Sequence, residues 1–244
     1  MNTIKGVIFD YGGTIDTNGI HWGEVIAAQY RLAGIGIDHN LYRDAYVHGE
    51  RSLAKAPVIA PEDTFHTLLK KKIAIQFEYL KEQTQQPQMF TAELAAKVAD
   101  GCYGKVLETL ATSRSIIEEI AERYPMVLVT NFYGNMPVVL DEFGLDKYFR
   151  SIIESSVVGI RKPDPALFAL GVDALQLRAE EIVVIGDSYR KDIYPASTLG
   201  CKTVWLKNIC WEDEPIDPAH SPTAIINDIT DLPHIITGIT SKEP

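Results

Sequence analysis

The sequence is poor in cysteine, has no excess of positive charge and contains no long hydrophobic run. Only three of its 244 residues are cysteine, without metal-site spacing, so we expect reduced thiols in a cytoplasmic protein. The net charge of -10 argues against a nucleic-acid partner, because its phosphates would be repelled. The chain also lacks a signal-peptide pattern and any apolar stretch long enough to span a bilayer, so we expect no membrane association.

Apolar, strand-like segments alternate with helical segments along the chain. The apolar runs end at Asp10, Thr130, Glu154, Gly186 and Trp205, and helical patterns lie between most of them. This alternation is typical of a parallel sheet covered by helices on both faces. We therefore predict an α/β fold with a doubly wound, Rossmann-like parallel sheet.

The connection between the first two predicted strands is too long to fit this alternation of strands and helices. More than a hundred residues separate Asp10 from Val127, and residues 17–104 are mostly helical in pattern. A long excursion with helices of its own is better explained by an inserted domain than by a loop. We predict a core domain of residues 1–16 and 105–244, and a smaller, mostly helical domain of residues 17–104.

Three local features are predicted to be structural. The run from Lys70 to Lys72 lies in a helical pattern and is expected to form a solvated helix face. Residues 208–222 are rich in proline and acidic residues, which indicates a surface loop. Asp16, close to a Gly-Gly pair, is expected to be a turn or cap residue.

The segment from Val7 to Thr14 places a single acid, Asp10, at the end of a buried strand. Open α/β folds bind ligands at this edge of the sheet. The segment resembles the first motif of the haloacid dehalogenase-like hydrolase superfamily, and three later segments resemble the remaining motifs. These are Val127–Asn131, Gly159–Pro165, and Val183–Ser188 followed by Asp192. The resemblance covers about two thirds of the chain, and it implies that residues 17–104 are a helical cap over the active site.

The resemblance implies a role for each motif residue in phosphoryl transfer. Asp10 would be the nucleophile that forms an aspartyl-phosphate, which splits the transfer into two easier displacements. Lys162 would neutralise charge on the nucleophile and the phosphate. Thr130 and the amide of Asn131 would donate hydrogen bonds to the phosphoryl oxygens. The implied substrate is a small phosphorylated molecule.

The resemblance also implies a Mg²⁺ cofactor, since an attacking carboxylate and a phosphoryl group repel each other. Mg²⁺ prefers hard oxygen ligands, which Asp10 and Asp187 would supply. The backbone carbonyl of Gly12 would be a third ligand. Asp192 would orient a metal-bound water or hold Lys162.

The first motif departs from the pattern of the family's phosphatases at Gly12, where those enzymes carry a second Asp as general acid/base. The change leaves three activities open. The first is a phosphatase in which water, the substrate or a cap residue protonates the leaving group. The second is a hydrolase of another bond, either a phosphonate (C–P) bond or that of a 2-haloacid. The third is a protein that binds a phosphorylated ligand and turns over little.

Two features bear on these alternatives. The family's phosphonoacetaldehyde hydrolases form a Schiff base with a cap lysine, and Lys55 is one candidate for a counterpart in this sequence. The acidic fourth motif, Asp187 with Asp192, favours a metal and argues against dehalogenation. We therefore predict a metal-dependent hydrolase, with phosphoryl substrates favoured.

Overall fold

A six-stranded parallel sheet forms the centre of the computed structural model, which describes residues 3–55, 57–212 and 214–241. The strand order is β3-β2-β1-β4-β5-β6. The strands are β1 Gly6–Phe9, β2 Met126–Thr130, β3 Ser151–Glu154, β4 Ile182–Gly186, β5 Lys202–Leu206 and β6 Ala224–Ile226. The predicted doubly wound α/β fold is confirmed, with strand ends within about one residue of the expected positions.

Nine α-helices are described, and four of them precede β2. They are α1 Trp22–Leu32, α2 His39–Lys55, α3 Phe65–Gln83, α4 Ala92–Ala121, α5 Met136–Glu142, α6 Ser155–Val158, α7 Ala166–Leu175, α8 Tyr194–Thr198 and α9 Leu232–Ser241. A π-helical turn covers Tyr189–Ile193. Within the described part of the chain, no helix is both long enough and apolar enough to cross a membrane.

The two faces of the sheet bury alternate residues of each strand. Val7 and Phe9 of β1 belong to the apolar cluster that continues into α3 and α4. Ile8 points to the opposite face, where it packs in a second cluster with Phe168 of α7. Both faces of β1 are thus covered, as expected for a central parallel strand.

The long connection between β1 and β2 is built from α1 to α4. Helix α3 is capped by Thr64, whose side chain accepts a hydrogen bond from the amide of Thr67 at 3.2 Å, and the helix packs against α2 and α4. Helix α4 contacts α1 and α3, and it also contacts α9. The domain boundary predicted at residue 104 lies inside α4, and the division into core and cap stays a prediction.

Candidate active site

Three adjacent strands end at the residues predicted for the site. Asp10 follows β1, Thr130 ends β2 and Asp187 follows β4, and these strands are neighbours in the sheet. The main-chain amide of Asp10 donates to the carbonyl of Ile185 at 2.9 Å, which continues the ladder beyond the strand. The topology therefore brings together residues that are up to 177 positions apart.

Lys162 joins two of the acids. Its buried ammonium donates to Oδ1 of Asp10 at 2.6 Å and to Oδ1 of Asp192 at 2.7 Å. Asn131 fixes the main chain of the lysine, since its Oδ1 accepts from the Lys162 amide at 2.9 Å and its Nδ2 donates to the Lys162 carbonyl at 3.2 Å. The Asn131 side chain thus positions Lys162, a role that the motif did not predict.

The Gly-Gly turn after Asp10 supports the same cluster. Gly13 has φ +100°, and a Cβ there would overlap the carboxylate of Asp187. The hydroxyl of Thr14 donates to Oδ2 of Asp10 at 3.0 Å. Asp16 accepts from the amide of Gly13 at 2.7 Å and from the indole of Trp22 at 3.0 Å. Asp16 is therefore a turn residue, as predicted.

The acidic cluster carries more negative charge than Lys162 balances. Carboxylate oxygens of Asp10, Asp187 and Asp192 lie within 4.8 Å of one another. Burial and the neighbouring carboxylates raise the pKa of Asp187 well above its usual value, and burial raises the pKa of Asp192 to about 6. Burial alone would lower the pKa of Lys162, but the adjacent carboxylates raise it above the usual lysine value. This arrangement favours a bound cation.

A cavity of about 770 Å³ opens above the strand ends. The predicted site residues that line it are Asp10, Gly12, Thr130, Asn131, Lys162, Asp187 and Asp192. A Cβ added at Gly12 would have no heavy atom within 4 Å. The structure thus brings all the predicted site residues to one cavity and leaves open space where the family's phosphatases carry an acid.

One prediction about the helical region is wrong. The run from Lys70 to Lys72 is not uniformly solvated, because Lys72 is only 6% exposed and lines the cavity. Its ammonium lies 2.8 Å from Oε1 of Glu50, and the hydroxyl of Tyr133 donates to Oε2 of the same glutamate at 2.9 Å. The sequence contained a signal for the burial of Lys72, since this residue lies four positions after Leu68 and three after Leu69, on the apolar face of α3.

The segment of residues 208–222 does more than cover the surface. Its Trp211 stacks on His21 with ring centroids 5.0 Å apart and packs edge-on against Tyr46 at 4.6 Å. All three rings line the cavity. Lys55, by contrast, is exposed at the end of α2 and does not line it.

Comparison with known proteins identifies the family. A family model described as haloacid dehalogenase-like hydrolase matches residues 4–200. The chain belongs to this family. The superfamily resemblance predicted from the four motifs is therefore confirmed.

Relatives of this haloacid dehalogenase-like hydrolase include phosphatases. The chain is 38% identical over 63 residues to a glyceraldehyde 3-phosphate phosphatase from Pyrococcus furiosus, and the match covers 26% of each chain. It is 25% identical over 174 residues to a ribulose-1,5-bisphosphate 5-phosphatase from Halopiger xanaduensis, covering 70% of each.

Among solved structures, YfnB from Bacillus subtilis, which was described as a HAD-hydrolase and was solved bound to magnesium, is similar with a TM-score of 0.59. The two chains are 21% identical, and the similarity covers 96% of this chain and 99% of YfnB. At this level of identity the comparison shows a shared fold.

Proposed function

We propose that this hydrolase is a Mg²⁺-dependent phosphatase that cleaves small phosphomonoesters through an aspartyl-phosphate on Asp10. The observation that carries the proposal is the cluster of Asp10, Asp187 and Asp192 with Lys162 at one edge of the sheet. This cluster combines a buried carboxylate nucleophile, a neutralising lysine and a cation site. The two relatives described above are both named phosphatases, which supports the same activity.

The donor set suits a magnesium ion. The cluster offers carboxylate oxygens, which are the hard ligands that Mg²⁺ prefers over nitrogen or sulfur. Asp10, Asp187 and the carbonyl of Gly12 would hold the ion, with Asp192 next to them. Bound Mg²⁺ would reduce the repulsion between the nucleophile and an anionic phosphoryl group.

The residues of the chain orient the nucleophile before the substrate arrives. Each oxygen of Asp10 accepts one hydrogen bond, Oδ1 from Lys162 and Oδ2 from Thr14. Thr130 and the amide of Asn131 would donate to the phosphoryl oxygens as charge develops on them. Asp10 displaces the alcohol from phosphorus, and water then cleaves the aspartyl-phosphate to give inorganic phosphate and the free carboxylate.

Neither His21 nor Glu50, which both line the cavity, is suited to protonate the leaving alcohol. Burial lowers the pKa of His21 to about 4, so the ring is neutral near pH 7. Burial opposes ionisation of Glu50, but the ammonium of Lys72 holds its pKa below the usual value. Neither group carries a transferable proton at neutral pH. We infer that water protonates the leaving group and that esters of acidic alcohols react fastest.

Schiff-base chemistry on a phosphonate is less compatible with the cavity. It needs a neutral lysine amine, which burial can supply by lowering the lysine pKa. Burial alone would lower the pKa of Lys72, but the carboxylate of Glu50 raises it above the usual value. Lys55 lies outside the cavity. Neither Lys72 nor Lys55 is therefore suited to this role.

Phosphate release measured with and without Mg²⁺ tests the proposal. We expect hydrolysis of nitrophenyl phosphate with Mg²⁺ and loss of activity in EDTA. Asp10→Asn should abolish turnover, whereas Asp141→Asn, an exposed change on α5, should not affect it. After acid quenching, mass spectrometry should locate a phosphoryl group on the peptide that contains Asp10. Normal Mg²⁺ binding without release of phosphate from any ester would reject the phosphatase and favour a ligand-binding protein.

Gly12→Asp tests whether the missing acid limits the reaction. The open space at Gly12 accepts a side chain, and a general acid contributes at most ~10²–10⁴-fold. We expect a gain that is largest for alkyl phosphates and small for nitrophenyl phosphate, whose leaving group scarcely needs a proton. A variant that binds Mg²⁺ normally and gains nothing on alkyl phosphates would contradict this account.

A further inference from the structure

We propose that Glu50, Lys72 and Tyr133, with the aromatic rings around them, form a leaving-group site for an uncharged heteroaromatic ring, as carried by nucleoside monophosphates. The inference rests on the proposed phosphatase function and names its substrate class. Three properties of the cavity support it: its size, its aromatic walls and the neutral polar pair in the wall formed by the helices.

The cavity is large for a phosphorylated three-carbon compound. Its volume of about 770 Å³ falls within the range of roughly 300–1,000 Å³ that is typical of pockets for drug-sized ligands. A phosphoryl group at Asp10 would fill only one end of it. The remaining space can accommodate a sugar and a ring attached to the phosphate.

Aromatic side chains form much of the wall. Six of the rings that line it are those of Trp22, Tyr46, Phe65, Phe132, Tyr133 and Trp211. They come from the helices α1 to α3, from the segment after β2 and from the loop of residues 208–222. Every nucleobase presents a π-face, and stacking on aromatic side chains is the common way in which proteins bind such faces.

A polar pair lies among these rings. The ammonium of Lys72 is 2.8 Å from Oε1 of Glu50 and lies 5.8 Å and 5.5 Å from the ring centroids of Trp22 and Tyr133. An ammonium has three N–H donors, and Glu50 is the carboxylate with which Lys72 pairs among the described residues. Lys72 can therefore donate to a carbonyl on a bound ring, while Glu50 can accept from a ring N–H.

The charge of this pair disfavours a second anionic group on the substrate. The carboxylate of Glu50 neutralises Lys72, so the pair offers no net attraction to a carboxylate or a second phosphate. Glu212 and Glu214 also line the cavity, but so do Arg161, Arg190 and Lys191, so the wall around the pair carries both signs of charge. A neutral base edge with both donors and acceptors matches the pair better than the carboxylate of phosphoglycolate does.

The test compares uridine and adenosine 5′-monophosphate with phosphoglycolate, using the wild type and the double variant Glu50→Gln/Lys72→Met. Changing both partners together avoids leaving a buried charge unpaired. In the wild type we expect kcat/KM to be at least about tenfold higher for the nucleotides. The double variant should reduce this ratio about tenfold, mainly through KM. Lys70→Met, an exposed lysine on the same helix, should leave the ratio unchanged.

Binding of the product nucleosides uridine and adenosine, measured by calorimetry, provides a readout that does not depend on turnover. Nucleoside binding to the wild type that is lost in the double variant would support the site. If no ester were hydrolysed as well, only the phosphatase proposal would be rejected. Metal-dependent hydrolysis without preference for nucleotides, or equal loss on all substrates in the double variant, would overturn the inference and leave the phosphatase proposal intact.

Discussion

The buried carboxyl of Asp16 should make the stability of the metal-free protein depend on pH. Asp16 is fully buried, and burial raises its pKa from 3.8 to about 7, although the hydrogen bonds from Gly13 and Trp22 oppose the shift. An acid whose pKa is higher in the folded than in the unfolded state stabilises the fold when it is protonated. Its contribution is complete below about pH 4 and is lost as the pH rises through about 7.

The size of the effect follows from the two pKa values. One pKa unit corresponds to about 1.4 kcal/mol, so the free energy of unfolding should fall by about 2–3 kcal/mol between pH 5 and pH 8 on account of Asp16. Asp16→Asn keeps the shape of the side chain and does not titrate. The stability difference between wild type and this variant should therefore shrink by that amount as the pH rises.

Urea unfolding in EDTA, followed by circular dichroism at several pH values, measures this difference. Asp141→Asn, an exposed change on α5, is the matched control and should follow the wild type in parallel. If wild type and Asp16→Asn instead remain parallel from pH 5 to pH 8, the reasoning is refuted. Asp16 would then stay ionised in the folded protein, held by its two N–H donors.

Three further substitutions test the support of the site. Gly13→Ala should lower the free energy of unfolding by about 1–3 kcal/mol, because the backbone of Gly13 is left-handed. The same change should displace Asp187 and so weaken Mg²⁺ binding measured by calorimetry. Gly12→Ala, at an open position, should leave the free energy of unfolding unchanged. Asn131→Ala removes two hydrogen bonds to the Lys162 main chain and should cost about 1–3 kcal/mol in urea unfolding. Lys162→Met leaves buried carboxylates without their cation and should cost about 3–5 kcal/mol by the same measurement. If Lys162→Met lowered the free energy of unfolding by less than about 1 kcal/mol, the charge of the buried carboxylates would have to be compensated by something other than Lys162.

The sheet and the polar residues at its edge were predictable because each is encoded locally. An apolar run that stops at Asp10 or Asp187 indicates both a buried strand and a group at its end. The opposite wall of the cavity is encoded by pairs that are distant in sequence. Glu50 and Tyr133 are 83 residues apart, and Trp211 meets Tyr46 from a loop near the other end of the chain. No local pattern records such pairs.

The burial of Lys72 was only partly predictable from the local sequence. Its position on the apolar face of α3 was visible in the sequence, but a run of three lysines is usually solvated. Burial of the charge is possible because Glu50 lies on a different helix and reaches the same place. Tertiary structure decided which of the three lysines faces inward.

Helix α4 also limits how the cavity can open. Its 30 residues form a rod about 45 Å long, which runs without interruption from its contacts with α1 and α3 to its contacts with α9. A continuous helix bends only gently along its length, so α4 cannot act as a hinge. Two segments outside the α-helices join α1–α3 to the rest of the chain: residues 17–21 before α1 and residues 84–91 between α3 and α4. Movement of α1–α3 relative to the sheet would therefore require changes in these two segments, while α4 itself stays rigid.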